Sequence, residues 1–333
     1  MTLAGQCHNP WPAAVSALSL SPGPTSESKQ QNSTVQSQST QPAKESILNL
    51  EMTSLSTLVI SDMLLQPLFF PWTLTLLDSS RISKLEITSW DIPRKTWSTL
   101  LCSVTIVELE VLSLDFPKDC VKSTPVFVDL ENFFARHPRI RTLQLRSKLN
   151  QPQASTFTEA ILPNLSSLMG HPIYVRSFLQ MKKSHPNTLL RLKSVSLMPS
   201  YSILDSTFNY DIFDTALAQL VAFSGDTITL ALNLMQPASA WFENHVVLGP
   251  SKSVLCGLTC VSHLEISASS TAKKAMCSKA TFLDWLGLFP SLQSVRFVSI
   301  SAEEEASLKD NEFWGLVKEK CPRIKVVRIG CFR

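Results

Sequence analysis

Histidine and cysteine are the residues of this sequence best suited to act as bases, nucleophiles or metal ligands, but they are scattered along it. The six histidines lie at positions 8, 137, 171, 185, 245 and 263. The sequence contains no nucleophile elbow, Walker loop, dinucleotide-binding fingerprint or zinc-protease helix. Its nine glycines leave few places where backbone could cradle a phosphate group. We therefore predict that the protein is not an enzyme and holds no cofactor.

Four of the histidines adjoin predicted structural elements. His137 and His185 each precede a proline, where a charged imidazole would interact favourably with the dipole of a preceding helix. We expect that role rather than catalysis. His171 and His263 flank predicted strands and could reach an exposed sheet face, but the sequence identifies no acid or thiol partner for either.

The eight cysteines, at positions 7, 102, 120, 256, 260, 277, 321 and 331, show neither a C-x-x-C pair nor a histidine at metal-ligand spacing. Cys256 and Cys260 could form a disulfide or bind a metal. Ordinary reduced and buried thiols are the expected state, because such a pair also fits a hydrophobic core. The sequence predicts no metal site.

Composition favours a soluble intracellular protein, cytoplasmic or nuclear. Hydrophobic residues make up 44% of the chain, and the net charge of +3 gives no reason to expect nucleic acid or an acidic membrane surface as partner. The longest apolar run, residues 63–77, is too short to span a bilayer and is interrupted by Pro67 and Pro71. The N-terminus lacks the basic segment of a signal peptide. We expect a monomer.

Residues 1–46 are predicted to be a disordered tail. Between Ser21 and Ser46 the sequence is SPGPTSESKQQNSTVQSQSTQPAKES, in which Val35 and Ala43 are the only apolar residues apart from proline and glycine. Such a segment cannot bury enough surface to offset its chain entropy. The ordered part is therefore predicted to begin near Ile47.

One pattern, apolar-x-x-apolar-x-apolar, recurs through residues 47–333. It is clear in FFARHPRIRTLQL, which starts at Phe133, and in WLGLFPSLQSVRF, which starts at Trp285. The first positions of its ten copies are 55, 82, 109, 140, 165, 192, 227, 261, 292 and 324, and in one weaker copy Thr227 replaces the apolar residue. Ten irregular copies at a spacing of about thirty residues indicate a solenoid of repeats.

Each repeat is predicted to contain a strand that follows a helix and a turn. The last two apolar residues of the pattern point to one side of the strand, and the residue between them points to the other. Two helices show apolar residues at helical spacing: Phe213, Ala216, Leu217, Leu220 and Val221 in one, and Phe282, Trp285, Leu286 and Phe289 in the other. Thr281 and Asp284 resemble a capping box. A proline then ends several of the helices.

The predicted fold class is α/β, because a unit of this size cannot cover its own apolar face and must stack on its neighbours. The stack should have parallel strands on one face and helices on the other. Helices are wider than the spacing between strands, so we expect a horseshoe with the strands on the concave face and the helices on the convex face.

The repeated L-x-x-L-x-L pattern resembles the leucine-rich repeat family over roughly residues 50–330. The phrases FFARHPRIRTLQL and FLDWLGLFPSLQSVRF resemble the repeat region of fungal F-box proteins. One departure is clear: three residues after the last apolar position of each strand, where the family has an asparagine or cysteine that forms a buried ladder, this chain has residues such as Met63, Trp90 and Pro117.

The resemblance implies an N-terminal F-box that binds the Skp adaptor of a cullin-RING ubiquitin ligase, and repeats that hold a substrate. No F-box is visible before the predicted tail, and the Leu-Pro-x-Glu opening of that module is missing. Two interpretations remain open. The chain is a truncated or divergent substrate-recognition subunit, or it is a repeat-only scaffold unconnected with ubiquitin ligation.

Strand alternation predicts which side chains lie on the concave face and could contact a partner protein. The central row of this face is Val59, Glu86, Ser113, Gln144, Met169, Ser196, Ala231, Glu265, Arg296 and Arg328, and the rows beside it include Lys84, Asp115, Arg146, His171 and His263. The candidate contact residues are Glu86, Asp115, Gln144, Arg146, Met169, His171, Glu265 and Arg296. The row lacks the aromatic anchors typical of interfaces, so a solvated face without a partner is an equal alternative.

Overall fold

The computed structural model describes residues 55–89, 92–116, 125, 127–146, 161–185, 188–199, 209–223, 227–234, 238–268, 278–298 and 311–330. All of these residues belong to one compact unit, Leu50–Arg333. The tail predicted over residues 1–46 lies outside the described residues.

Strands and helices alternate along the described chain. The strands are β1 (Thr57–Ser61), β2 (Lys84–Thr88), β3 (Val111–Asp115), β4 (Thr142–Leu145), β5 (Ser167–Gly170), β6 (Ser194–Leu197), β7 (Ile228–Leu234), β8 (Val261–Ala268), β9 (Ser294–Val298) and β10 (Val326–Gly330). The helices are α1 (Phe70–Ser79), α2 (Arg94–Ser103), α3 (Phe127–Arg136), α4 (Pro172–Ser184), α5 (Asp211–Leu220), α6 (Ser239–Lys252), α7 (Lys279–Gly287) and α8 (Asn311–Lys320). Short 3-10 helices span Asp62–Leu65 and Val254–Gly257.

The ten strands form one sheet in which every strand pairs in parallel with its neighbours in sequence, from β1 to β10. The register aligns the predicted apolar positions: Leu143 lies between Leu112 and Leu168, and Val295 lies between Leu264 and Val327. The predicted α/β class, the ten parallel strands and their common register are therefore confirmed.

Burial indicates that the described helices pack against one face of the sheet. In β4, Leu143 and Leu145 are buried, whereas Gln144 between them is half-buried. The predicted apolar residues of α5 and α7 belong to the same buried cluster as the strands, with one exception. Val221 is 37% exposed, because α5 ends at Leu220 and Val221 lies at its C-cap. The face that carries the residues between the buried pairs is called the open face below.

A repeated backbone contact fixes the register at the start of most strands. The Glu110 carbonyl accepts hydrogen bonds from the amides of both Arg141 and Thr142, at 2.7 and 3.0 Å. The Arg141 carbonyl accepts in the same way from Ser166 and Ser167, at 2.8 and 2.9 Å. Two consecutive amides of one repeat therefore share one carbonyl of the previous repeat. A slip of one residue would break this contact and turn the apolar pair away from the core.

The turn between helix and strand also recurs. In several repeats, the residue three positions before the first apolar position is buried, and its carbonyl accepts a hydrogen bond from the amide of that first position. The bond is 3.2 Å from Ile140 to His137 and 2.9 Å from Ile324 to Cys321. Pro138 and Pro322 follow the accepting residues directly. The predicted order of helix, proline turn and strand is present, and the turn adds one more buried side chain to each of these repeats.

Two local features differ from the residues expected by pattern. The first helical residue of α7 is Lys279, and its cap is Ser278, whose hydroxyl accepts from the amide of Thr281 at 3.1 Å. The predicted capping box starting at Thr281 is therefore three residues too late. Gly170 occupies a buried strand position that is apolar in other repeats, because a Cβ there would lie 2.8 Å from the carbonyl oxygen of Leu145.

Within the described part of the chain, no helix is long and apolar enough to cross a membrane. The apolar run at residues 63–77 contributes to the 3-10 helix Asp62–Leu65 and to α1, which has Pro71 in its first turn.

Two glycines offer a matched test of the backbone conformation. Gly249 has φ +65° and ψ −173° where α6 is kinked, and nothing lies within 4 Å of a Cβ built there. We expect Gly249→Ala to lower the free energy of unfolding by about 1–3 kcal/mol, because residues with a Cβ rarely adopt this conformation. Gly315 is exposed within α8 and also has nothing within 4 Å of a built Cβ. Gly315→Ala should raise the free energy of unfolding by about 0.5–1 kcal/mol.

Urea denaturation of both variants, followed by circular dichroism, measures these differences. If Gly249→Ala leaves the free energy of unfolding unchanged or raises it, the backbone conformation assigned to Gly249 is wrong.

Candidate functional site

The central row of the open face is assembled by strand pairing as the sequence predicted. Each member lies beside the next in the order Val59, Glu86, Ser113, Gln144, Met169, Ser196, Ala231, Glu265, Arg296 and Arg328. Charged side chains are found toward both ends of this row. Its middle, from Met169 to Ala231, carries none, and Ser113 and Ser196 are only 5% and 7% exposed.

Seven of the eight candidate contact residues are at least partly accessible. Arg146 and Arg296 are exposed, whereas the half-buried members are Glu86, Asp115, Gln144, Met169 and Glu265. They form separate groups, because Gln144 and Met169 pair across β4 and β5, while Glu265 and Arg296 pair across β8 and β9. The sheet therefore does not bring all of the candidates into one patch.

Arg146 and Gln144 are tied together on the open face. With its amide oxygen turned towards Arg146, Gln144 accepts hydrogen bonds from the guanidinium Nη2 at 2.6 Å and from Nε. The Arg146 amide donates to the Leu114 carbonyl at 3.0 Å, so the backbone of β3 also holds this residue. A guanidinium fixed in this way still has free N–H donors with which to bind a carboxylate.

His171 does not contribute an accessible side chain to this patch. It is 3% exposed and caps α4, where its Nδ1 accepts from the amide of Ile173 at 3.4 Å. The prediction that His171 presents a titratable group on the concave surface is therefore wrong. The reason is that α4 begins immediately after β5, so His171 is the N-cap residue of the helix.

Glu265 and Arg296 form the ion pair of the second group, with Oε2 and Nη1 3.4 Å apart. The side chain of Arg296 is 55% exposed, so solvent screens the pair and its contribution to stability is small. Arg296 pairs in turn with Arg328 of β10. This end of the open face therefore presents two guanidinium groups. Arg296 lies beside Glu265, whereas Arg328 is one strand further away.

His137 has a structural role that differs from the predicted interaction with the helix dipole. Its Nδ1 donates to the Phe133 carbonyl at 2.6 Å, and its Nε2 accepts from the Ile106 amide of the previous repeat at 2.9 Å. An acceptor at Nε2 requires a neutral ring. Burial lowers the pKa of His137, with the Phe133 bond opposing and the Arg136 charge reinforcing this effect. The expected role at the helix end is therefore present, but a neutral ring fills it through the hydrogen bond to Phe133 and not through a positive charge.

A cluster of an acid, a histidine and a serine links α5, α6 and the following 3-10 helix. His245 Nε2 donates to Asp214 Oδ1 at 3.1 Å. Ser253 Oγ lies 2.9 Å from His245 Nδ1. Trp241 Nε1 also donates to Asp214 Oδ1, at 3.0 Å. The residue types are those of a serine hydrolase triad, but the ring nitrogens are exchanged, because in a triad Nδ1 faces the acid and Nε2 faces the serine.

The surroundings of this cluster favour a structural role. A nucleophilic serine must present its hydroxyl to a substrate, but Ser253 is 6% exposed. Its Oγ also accepts from the Leu255 amide at 3.3 Å and so caps the 3-10 helix. His245 itself is 1% exposed. We interpret the three residues as a polar contact between two repeats.

Sequence reasoning missed this cluster because Asp214 and His245 are 31 residues apart, which is one repeat. One signal was present in the sequence. His245 follows Trp241 by four residues and therefore lies on the same, buried face of α6. A histidine at such a position requires polar partners from a neighbouring element.

The described cysteines are Cys102, Cys256, Cys260 and Cys321, and all four are free thiols. Cys260 Sγ lies 3.6 Å from the Leu220 carbonyl, so the bridge considered between Cys256 and Cys260 is absent. Burial raises the pKa of Cys321 to about 11. Among the described residues, no group of three or more His, Cys, Asp or Glu side chains is placed to hold a metal ion.

Comparisons of this chain with protein-family models, curated proteins and solved structures find no match.

The neutral state of His137 predicts a pH dependence of stability. Because its pKa is lower in the folded protein than in the unfolded chain, the unfolded chain binds more protons once the pH falls below about 6.5. The contribution of His137 is therefore complete above that pH and is lost as the pH falls through the folded-state pKa. His137→Gln keeps an acceptor but does not titrate. Its stability deficit relative to the parent should shrink between pH 8 and pH 5.

Urea denaturation at several pH values measures this difference. His263→Gln, which removes an exposed histidine of the open face, is the control for losing an imidazole. A deficit for His137→Gln that stays constant from pH 8 to pH 5 would show that the buried ring is not held neutral.

Proposed function

We propose that this chain is a non-catalytic protein-binding solenoid that holds its partner on the open face of the sheet. The observation that carries the proposal is a ten-stranded parallel sheet with the described helices packed against one face. At a strand spacing of about 4.8 Å, ten strands provide a surface on the order of 40 Å long. Stacked repeats typically bind partners on such extended surfaces. We further propose that the stack curves, with this face on the concave side.

The distribution of charge on the open face suits a polypeptide partner. Arg146 is exposed on the strip next to the central row, and the Glu265–Arg296 pair lies three strands beyond Met169. Small uncharged residues between them let a partner's backbone approach the sheet. Polar contacts at both ends would then fix its position, as electrostatic complementarity does at other interfaces.

Within this class we propose a substrate-recognition relative of the F-box subunits of ubiquitin ligases, acting in the cytoplasm or nucleus. Its support is the resemblance of FFARHPRIRTLQL and FLDWLGLFPSLQSVRF to the repeats of fungal F-box proteins. A repeat-only scaffold unconnected with ubiquitin ligation is the second candidate, and the same sheet face supports it. Neither candidate requires a cofactor or a catalytic residue.

Affinity purification of the tagged chain followed by mass spectrometry separates the two candidates. A ligase subunit should retain the Skp adaptor together with substrate proteins. A scaffold should retain other proteins without Skp. Recovery of no protein above the level of a tag-only control, together with turnover of substrates from a small-molecule panel, would overturn the proposed function.

Open-face variants test where a partner recovered in that purification binds. Arg146→Glu combined with Met169→Ala should weaken its binding by at least about 1 kcal/mol, or roughly fivefold in Kd, because the double change reverses an exposed charge and removes an adaptable side chain. The melting temperature should not fall, since neither residue is fully buried.

The matched control carries Arg176→Glu and Val247→Ala, at exposed positions of α4 and α6. Isothermal titration calorimetry of both double variants measures the affinities. Normal binding by the open-face variant and weak binding by the helix variant would place the partner on the helices instead.

A further inference from the structure

A pocket of about 340 Å³ lies between the last repeats, away from the open face. It is lined by residues of the turn that connects α7 to β9 and of the turn that connects α8 to β10, with Pro250 and Cys256 on a third side. Its volume is within the usual range for a site that accepts a side chain or a small ligand. Sequence reasoning missed it because two turns that are about thirty residues apart must stack to form it.

The inner wall of this pocket is apolar. Leu286, Phe289 and Leu292 line it and are themselves almost fully buried, so only the edges of their side chains are offered to an occupant. Ile324 lines the same wall and is only partly buried. An apolar side chain entering the pocket would cover these groups and gain hydrophobic free energy.

Basic side chains stand at the rim. Lys320 and Arg323 line the pocket, and five of the eleven residues from 318 to 328 are basic while only Glu319 is acidic. Lys320 Nζ lies 2.6 Å from Asp284 Oδ1, and Arg323 donates to the Pro290 carbonyl. Each cation has more donors than these contacts use. The rim therefore favours an occupant that brings carboxylates.

The carbonyl groups at two helix ends place a further requirement on the ligand of this pocket. The pocket lies at the C-terminal ends of α7 and α8, Gly287 and Lys320 both lining it. The last carbonyls of a helix lack partners within the helix and carry partial negative charge. A bare anion would be repelled by these carbonyls, whereas a peptide could offer them its backbone N–H groups. The three features together match a peptide better than a small anion.

We propose that this pocket binds a short segment of a partner protein in which one large apolar side chain is flanked by acidic residues. The apolar side chain enters between Phe289 and Ile324, and the flanking carboxylates bind Arg323 and Lys320. This inference rests on the proposed protein-binding function but places a second contact at the turn edge of the repeats, separate from the open face.

Cys256 provides a reporter for the test, because its thiol lines the pocket and is partly accessible. The probe is the acetylated, amidated pentapeptide Glu-Asp-Phe-Glu-Asp. The rate of alkylation of Cys256 by iodoacetamide is followed by mass spectrometry of its tryptic peptide, and exposed Cys102 is the internal reference. With the pentapeptide at about ten times its Kd, about a tenth of the pockets stay empty, so alkylation of Cys256 should slow about tenfold. The rate at Cys102 should not change.

Two comparisons test the chemistry of the site. The pentapeptides Lys-Lys-Phe-Lys-Lys and Glu-Asp-Gly-Glu-Asp should give no protection, because one lacks the carboxylates and the other lacks the apolar side chain. Arg323→Gln should weaken protection by the acidic probe, and its circular dichroism melt is compared with that of the parent to verify folding. The double variant Arg146→Glu, Met169→Ala should keep full protection.

Absence of protection by the acidic probe, or equal protection by the basic one, would overturn the proposed pocket. The assay makes no use of the open face or of a purified partner. If the pentapeptide gives no protection, the proposed function still stands. If the purification and the open-face variants fail, that function is overturned, but the measured protection of Cys256 is unaffected.

Discussion

The fold depends on the burial of two alternate apolar side chains in each strand. A repeat of about thirty residues loses on the order of 30–60 kcal/mol of backbone conformational entropy on ordering, whereas full burial of one leucine contributes about 1.5–3 kcal/mol. One strand with its helix cannot close this gap alone. Leu143 and Leu145 are completely buried in one cluster with residues of the helices and of the neighbouring strands β3 and β5. Neighbouring repeats therefore supply the surfaces that each repeat needs.

The register of the sheet was predictable, whereas the contacts between repeats were not. Strand alternation assigns Gln144 and Met169 to the same row from sequence alone, and pairing places them side by side. His137 and Ile106 are 31 residues apart, as are His245 and Asp214. Such pairs meet only through the stacking of two turns or helices, whose geometry a local pattern does not contain. The errors at His171 and Val221 have a related cause, because both depend on the residue at which a helix begins or ends.

Two side-chain contacts between neighbouring repeats lie in the turns that precede strands. Here His137 accepts from the Ile106 amide, and Cys321 Sγ lies 3.4 Å from the Leu283 carbonyl. Both residues occupy the same position of the turn that precedes their strands. This turn therefore satisfies backbone groups of the previous repeat while it buries its own side chain.

The strictly sequential order of the strands also bears on how the chain can fold as it is synthesised. Every strand pairs only with strands that precede or follow it directly, so no contact in the sheet requires a distant part of the chain. The loop to be closed for each new strand is about one repeat long, and its entropic cost is the same wherever folding begins. A repeat emerging from a ribosome meets its earlier neighbour already in place. The sheet can therefore grow by one strand at a time during translation, before the C-terminal repeats have been synthesised.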